Sequence, residues 1–201
     1  MSGITLYSFT LSGNSHKIRH FLSILGLEYE SKLLDAHQKE HKSAEFMALN
    51  PLGQVPVLID NDAVICDSNA ILVYLAEHYD KTGCWYPAGA KLRAEVQKFL
   101  SMSAGEVLNG PNLYRGIKHI GKPGDLELAY DRTINFFTYL NNLLSDRRYV
   151  VGDAPTIADI ALYTYPKLAA KAGVSLSDFP SISAWFARIE SGKHFVVEPE
   201  K

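Results

Sequence analysis

Hydrophobic and polar positions change period several times in the first eighty residues and hardly at all afterwards. Ile4 to Phe9 alternates and is rich in β-formers, which predicts a strand. Leu11-Ser12-Gly13-Asn14-Ser15 follows as a cluster of turn and cap residues. Ile18, Phe21, Leu22 and Leu25 then recur at i, i+3, i+4 and i+7, and Gly26 closes the segment. That pattern predicts an amphipathic helix with a stop signal. Glu28 to Leu34 reads as a second strand, and Phe46, Met47 and Leu49 as a short helix ended by Asn50-Pro51. Val57 to Asp60 and Ala63 to Cys66 are two strands joined by the tight turn Asn61-Asp62. Ile71, Leu72 and Leu75 mark a helix with its N-cap region at Asp67-Ser68.

The order β-α-β-α-β-β-α, with one hairpin in an otherwise βαβ chain, predicts a mixed four-stranded sheet with helices on its faces. Beyond a Gly- and Pro-punctuated linker only helical periods remain, over Lys91 to Leu108, Leu126 to Leu144, Ile157 to Ala172 and Ile182 to Ile189. The expected organisation is an α/β domain over 1–80, a linker over 81–89 and an all-α domain over 90–201. Thr156 to Asp159 is a variant of the helix-capping box and reads as structural.

Composition narrows the function classes. The 201 residues are 47% hydrophobic and 21% charged, with a formal charge of −2 and the two signs interspersed. No basic patch suggests a nucleic-acid partner. No apolar run approaches membrane-spanning length, and Met1 to Leu11 lacks the character of a secretion signal. Cys66 and Cys84 form neither a CxxC pair nor a disulfide framework, so a reducing, cytoplasmic setting is expected.

Three places carry candidate chemistry. In Gln54-Val55-Pro56-Val57 the proline directly precedes a hairpin strand. A cis Val55–Pro56 bond would turn the Val55 N–H and C=O outward to pair with a peptide ligand, whereas a trans bond would merely open an edge strand. Asp67-Ser68 opens a helix, whose N-terminal N–H groups favour a carboxylate while Asp67 accepts from an ammonium. Together these suit an amino-acid head group, with plain capping as the alternative. Ser12 sits in the loop after the first strand, where its hydroxyl could donate to a ligand thiolate; Asn14 is a second candidate donor, and Ser15 reads as an ordinary cap.

Other patterns carry less. His37-Gln38-Lys39-Glu40-His41 matches H-x-x-E-H but lies in a polar connector, so no metal is expected. His16 and His20 lie off the apolar face of their helix and are expected at the surface. Cys66 is expected to fill the core at a strand end, and Tyr7 to be buried.

Taken in order, these residues resemble the glutathione S-transferase family over essentially the whole chain. Glu45 to Tyr79 is similar to the family's N-P-x-G-x-V-P segment and its acidic-Ser-x-A-I helix start, and Gly152 to Leu162 to its capping signature. The resemblance implies a thioredoxin-like first domain followed by an all-helical one, with serine-type, phi-like or theta-like ligand positions. It implies Ser12 as the residue activating the glutathione thiol. His41 and Lys42 would hold the glycine carboxylate, Gln54, Val55 and a cis Pro56 the peptide backbone, and Asp67 and Ser68 the γ-glutamyl head. Asp67 stands where glutamate is commoner, and SGNSHKIR is not a standard phi or delta loop. The lack of a cysteine at the activating position argues against thiol transferases of the omega and beta kinds. The implied activity is attack by glutathione thiolate on a hydrophobic electrophile, near Phe99, Met102, Ser103, Leu113 and Tyr114. A glutathione-dependent peroxidase or reductase, or a non-catalytic glutathione-fold binder, are the alternatives. A homodimer is expected from the same likeness.

Overall fold

The computed structural model describes residues 3–199. The chain divides into two compact units, 82–193 and the remainder. The first unit contains β1 (Ile4–Ser8), α1 (Gly13–Ile24), β2 (Glu30–Leu33), α2 (Ala44–Leu49), β3 (Val57–Asp60), β4 (Ala63–Cys66) and α3 (Ser68–Tyr79). Its sheet has the order β2-β1-β3-β4, with β1 parallel to β2 and the other two pairings antiparallel. This is the mixed four-stranded sheet that the hairpin within the βαβ pattern predicts.

Alternation works as expected on β1: Ile4, Leu6 and Ser8 are buried while Thr5 and Tyr7 are half-buried. The buried set packs with Ile18, Phe21 and Leu22 of α1 and Ile71, Leu72 and Leu75 of α3 in the core of the unit. Asn61 takes φ +54 in the two-residue hairpin turn, a conformation asparagine tolerates. Buried Asp60 accepts from Tyr74 Oη at 2.9 Å and Tyr79 Oη at 2.5 Å, tying α3 to β3. Tyr7 is half-buried against the Phe46 ring, and Cys66 is half-buried too, less enclosed than its sequence position suggests.

The second unit is all-helical: α4 (Ala90–Ala104), α5 (Leu113–Ile120), α6 (Leu126–Leu143), α7 (Ile157–Lys171) and α8 (Pro180–Glu190). The Gly- and Pro-containing stretch expected to be a break is a wide π-helical turn, Leu108–Asn112, that leads directly into α5. This turn accommodates Pro111 without ending the helical path. A Cβ at Gly110 would lie 3.2 Å from the backbone of Arg132 and Thr133, so the small residue lets the turn approach α6. No helix among the described residues is long and apolar enough to cross a membrane.

Two expectations need correction. Residues 194–199, expected to end the helical domain, group with the first unit. The contacts responsible also overturn the surface placement of His16 and His20, which are 0% and 2% exposed. His16 Nε2 lies 2.8 Å from the Val196 carbonyl oxygen, and the Phe195 ring meets His20 edge-on at 5.2 Å. The tail thus covers a face of α1 that its apolar periodicity leaves polar. Burial pushes both imidazoles down to about 4.

Candidate functional site

Strand register assembles the candidate site. Tyr7 pairs with Val57, and Val57 with Cys66. The segments just beyond these partners, namely the loop after β1, Pro56 before β3 and Asp67 after β4, therefore meet at one end of the sheet. Aromatic contact adds the connector: the Phe9 and His41 rings pack edge-on with centroids 5.1 Å apart.

Ser12 is the N-cap of α1, with φ −77° and ψ 117°, and its Oγ accepts from Ser15 N at 3.1 Å. The capping role given to Ser15 belongs to Ser12, and Ser15 is buried in the first helical turn. Accepting through a lone pair leaves the Ser12 hydroxyl hydrogen available to donate. Arg19 fixes the approach to this cap, its guanidinium donating to the carbonyls of Phe9 at 3.4 Å and Thr10 at 3.3 Å. Asn14 follows in the same turn, half-buried.

The Asn50–Pro56 segment is organised by a buried amide. Asn50 Oδ1 accepts from Leu52 N at 3.2 Å, and its Nδ2 donates to Gln54 O at 2.8 Å. Gly53 has φ +59, and a Cβ there would sit 2.7 Å from His41 O and 2.6 Å from Lys42 Nζ. Only glycine fits between this turn and the connector. Lys42 is exposed and donates to Leu52 O at 3.0 Å, while His41 Nδ1 is buried without a hydrogen-bond partner. The Val55–Pro56 peptide is cis; Gln54 is exposed and Val55 half-buried.

Asp67 caps α3 from an exposed position at φ +72. Its Oδ1 accepts from Asn69 N at 2.8 Å and Ala70 N at 3.1 Å, and Oδ2 has no partner among the described residues. Ser68 begins the helix and is 5% exposed. Burial pushes the Cys66 thiol up, with the Asp67 charge adding to it, which disfavours a nucleophilic thiolate beside the site.

The H-x-x-E-H stretch does not form a metal cluster. Glu40 instead accepts from Asp35 N at 2.6 Å, and among the described residues no group of three or more metal-binding side chains occurs.

The five residues expected near an electrophile all belong to the helical unit. Phe99 is fully buried, and Ser103 is buried with its hydroxyl donating to Ala161 O at 3.0 Å. Tyr114 is buried against Tyr130, and Leu113 is half-buried. Phe99 and Ser103 are thus buried positions, and helix periodicity alone does not separate an inner face from a lining one. Met102 lines a cavity of about 600 Å³ between α4 and α6, with Glu106, Arg132, Phe136 and Tyr139 among its neighbours. The other four candidates do not line it.

Comparison with known proteins bears on the whole chain. Residues 2–77 match the glutathione S-transferase N-terminal domain and residues 127–192 the C-terminal domain. The sequence is 33% identical to glutathione S-transferase D7 of Drosophila melanogaster over 187 residues, 92% of this chain and 83% of that protein. A crystal structure of a glutathione S-transferase from Pseudomonas fluorescens superposes with a TM-score of 0.90 at 32% identity, covering 99% of this chain and all of that one. A glutathione transferase homologue from Drosophila mojavensis, solved with bound glutathione, gives 0.87 at 31% identity, covering 96% and 90%. With this likeness across both domains, the chain belongs to the glutathione S-transferase family.

Proposed function

We propose that the chain is a glutathione transferase of the serine type, with ligand positions like those of the phi-like and theta-like classes. The observation that carries this reading is the Ser12 cap: its oxygen accepts from Ser15 N, which leaves the hydroxyl hydrogen available to an outside acceptor. Glutathione supplies a thiol that, once ionised, attacks an electrophilic carbon or a peroxide oxygen.

Each end of that tripeptide has a suitable partner. Asp67 Oδ2 receives the ammonium of the γ-glutamyl head, and the N-terminus of α3, beginning at Ser68, favours its carboxylate. The backbone of Val55 beside the cis proline, with Gln54, pairs with the peptide in the manner of an added strand. Lys42 keeps two ammonium hydrogens beyond the one given to Leu52 O, and with His41 it offers the glycine carboxylate a donor pair.

Ser12 acts as a hydrogen-bond donor to the thiolate and not as a nucleophile. A bond to a charged group contributes about 1.5–3 kcal/mol, and the α1 terminus about 0.3–1 kcal/mol. With about 1.4 kcal/mol per pK unit, these lower a thiol near 8.5 by roughly one to three units, so that a substantial fraction of it is ionised at neutral pH. Asn14 is the alternative donor in the same turn.

Calorimetry with glutathione, followed by assays with chlorodinitrobenzene and cumene hydroperoxide, tests the reading. Binding heat with turnover of at least one substrate is expected. Binding without turnover would leave a ligand-binding protein, and no binding heat would reject the site altogether.

A further inference from the structure

The first turn of α1 is a poor helix by its own residues. Gly13, Asn14, Ser15 and His16 all rank low in helix preference, and no acidic side chain in that turn strengthens its start. Helix ends fray unless something outside them holds the backbone. Ser15 Oγ, buried in this turn, has no hydrogen-bond partner and supplies no such hold.

His16 supplies one. Its ring Nε2 lies 2.8 Å from the carbonyl oxygen of Val196, 180 positions away in sequence. A carbonyl oxygen only accepts, so the hydrogen of this bond sits on Nε2. Burial holds the imidazole down to about 4, and at neutral pH the ring is therefore the neutral donor. Phe195 meets the His20 ring edge-on one turn further along, and Glu198 in the same tail is 4% exposed, so the contact extends over several residues. On its backbone side His16 N donates to Ser12 O at 2.9 Å, while Ser15 N donates to Ser12 Oγ at 3.1 Å. One residue thus joins the tail to the cap: its ring is bonded to Val196 and its backbone to Ser12.

We infer that the tail acts through His16 as a strap for the candidate site: the bond to Val196 fixes the first turn of α1 in the geometry from which the Ser12 hydroxyl donates to the bound thiolate. His16 is a positioning residue in this arrangement and does not itself meet the ligand. The inference rests on the reading of Ser12 as the thiol donor. The groups assigned to the rest of glutathione lie on other segments, from Gln54 to Ser68, so the strap governs ionisation of the thiol more than binding of the tripeptide.

Ultraviolet titration of the thiolate in the glutathione complex compares wild type with His16→Leu, which cannot donate, with His16→Gln, which keeps a donor, and with a chain stopped after Lys193. The bound thiol is expected to titrate about one unit higher in His16→Leu and in the shortened chain, and within about a third of a unit of wild type in His16→Gln. At about pH 6, kcat with chlorodinitrobenzene falls up to roughly tenfold in the first two, while KM for glutathione stays within about twofold. In a Ser12→Ala background, His16→Leu moves the thiol no further. If either of the first two proteins does not fold, Phe195→Ala, which loosens the tail and spares His16, gives the same readout. A thiol pKa unmoved by loss of the bond, with any effect confined to melting temperature, overturns the inference. So does an equal shift in His16→Gln, or a shift that adds to that of Ser12→Ala. Coincident curves for wild type and Ser12→Ala overturn the assignment of Ser12 itself, which keeps the two failures apart.

Discussion

Helices α3 and α7 each have an acidic side chain at or near the N-terminus that accepts backbone N–H groups, yet the two termini serve opposite ends. At α7 the capping box is complete, with Thr156 accepting from Ala158 N at 3.2 Å and Asp159 from Thr156 N at 2.9 Å. Asp159 also accepts from Val150 N and from Trp185 Nε1, each at 3.0 Å, and is fully buried. Both of its oxygens are used. At α3, Asp67 is exposed, caps with one oxygen and leaves the other without a hydrogen-bond partner among the described residues. A saturated helix end holds the fold together; one with an acceptor to spare, on a residue held at φ +72, can meet a ligand.

The largest effect expected from this contrast is at Asp159. Asp159→Ala strands the Trp185 indole and two backbone donors in the core, which costs on the order of 3–5 kcal/mol. Unfolding in denaturant should show that loss, and a change below about 1 kcal/mol would mean the α7 cap is dispensable. Next is Asp67→Asn, which retains a good capping residue but removes the charge. Its stability should stay within about 0.5 kcal/mol of wild type, while glutathione binding weakens roughly tenfold or more, as loss of a charge-assisted bond of about 1.5–3 kcal/mol implies. Equal loss of stability and binding would erase the distinction between the two caps.

A third effect lies at the polar face of α1 and emerges only in acid. Burial holds His16 and His20 at about 4, although the Glu198 charge pulls both upward. Between that value and the ordinary 6.5 the unfolded chain binds more protons than the folded one. The stability of the tail-covered helix is therefore complete above about 6.5 and declines as pH falls toward 4. Replacing both histidines with glutamine should flatten thermal stability across that window, and an unchanged slope would refute the assignment.

These contrasts also mark what the sequence made legible. The hairpin β3–β4, the Asp67 cap and the Thr156–Asp159 box are local features, set by residues within a few positions of one another. Their chemistry could be read directly. The cis Val55–Pro56 bond agrees with the family motif, although local preference alone favours trans. His16 and His20 were not legible as buried residues, because what covers them comes from the tail near Val196, far away in sequence; the burial of Lys17 was not legible either. Periodicity identifies the apolar face of a helix and leaves silent whether the polar face is also covered. The same limit hid the burial of Phe99 and Ser103, and Pro111 concealed the continuation into α5. A lysine aligned one residue before a core isoleucine, on the helix leading from Ser12, was the available hint.

The account depends most on the Ser12 hydroxyl lowering the pKa of a bound thiol. Ultraviolet titration of the thiolate in the glutathione complex, for wild type and Ser12→Ala, measures this directly. The wild-type thiol should ionise roughly one to three units below the reference value of about 8.5, and the variant should return most of the way to it. Coincident titration curves for the two proteins would contradict the role assigned to Ser12.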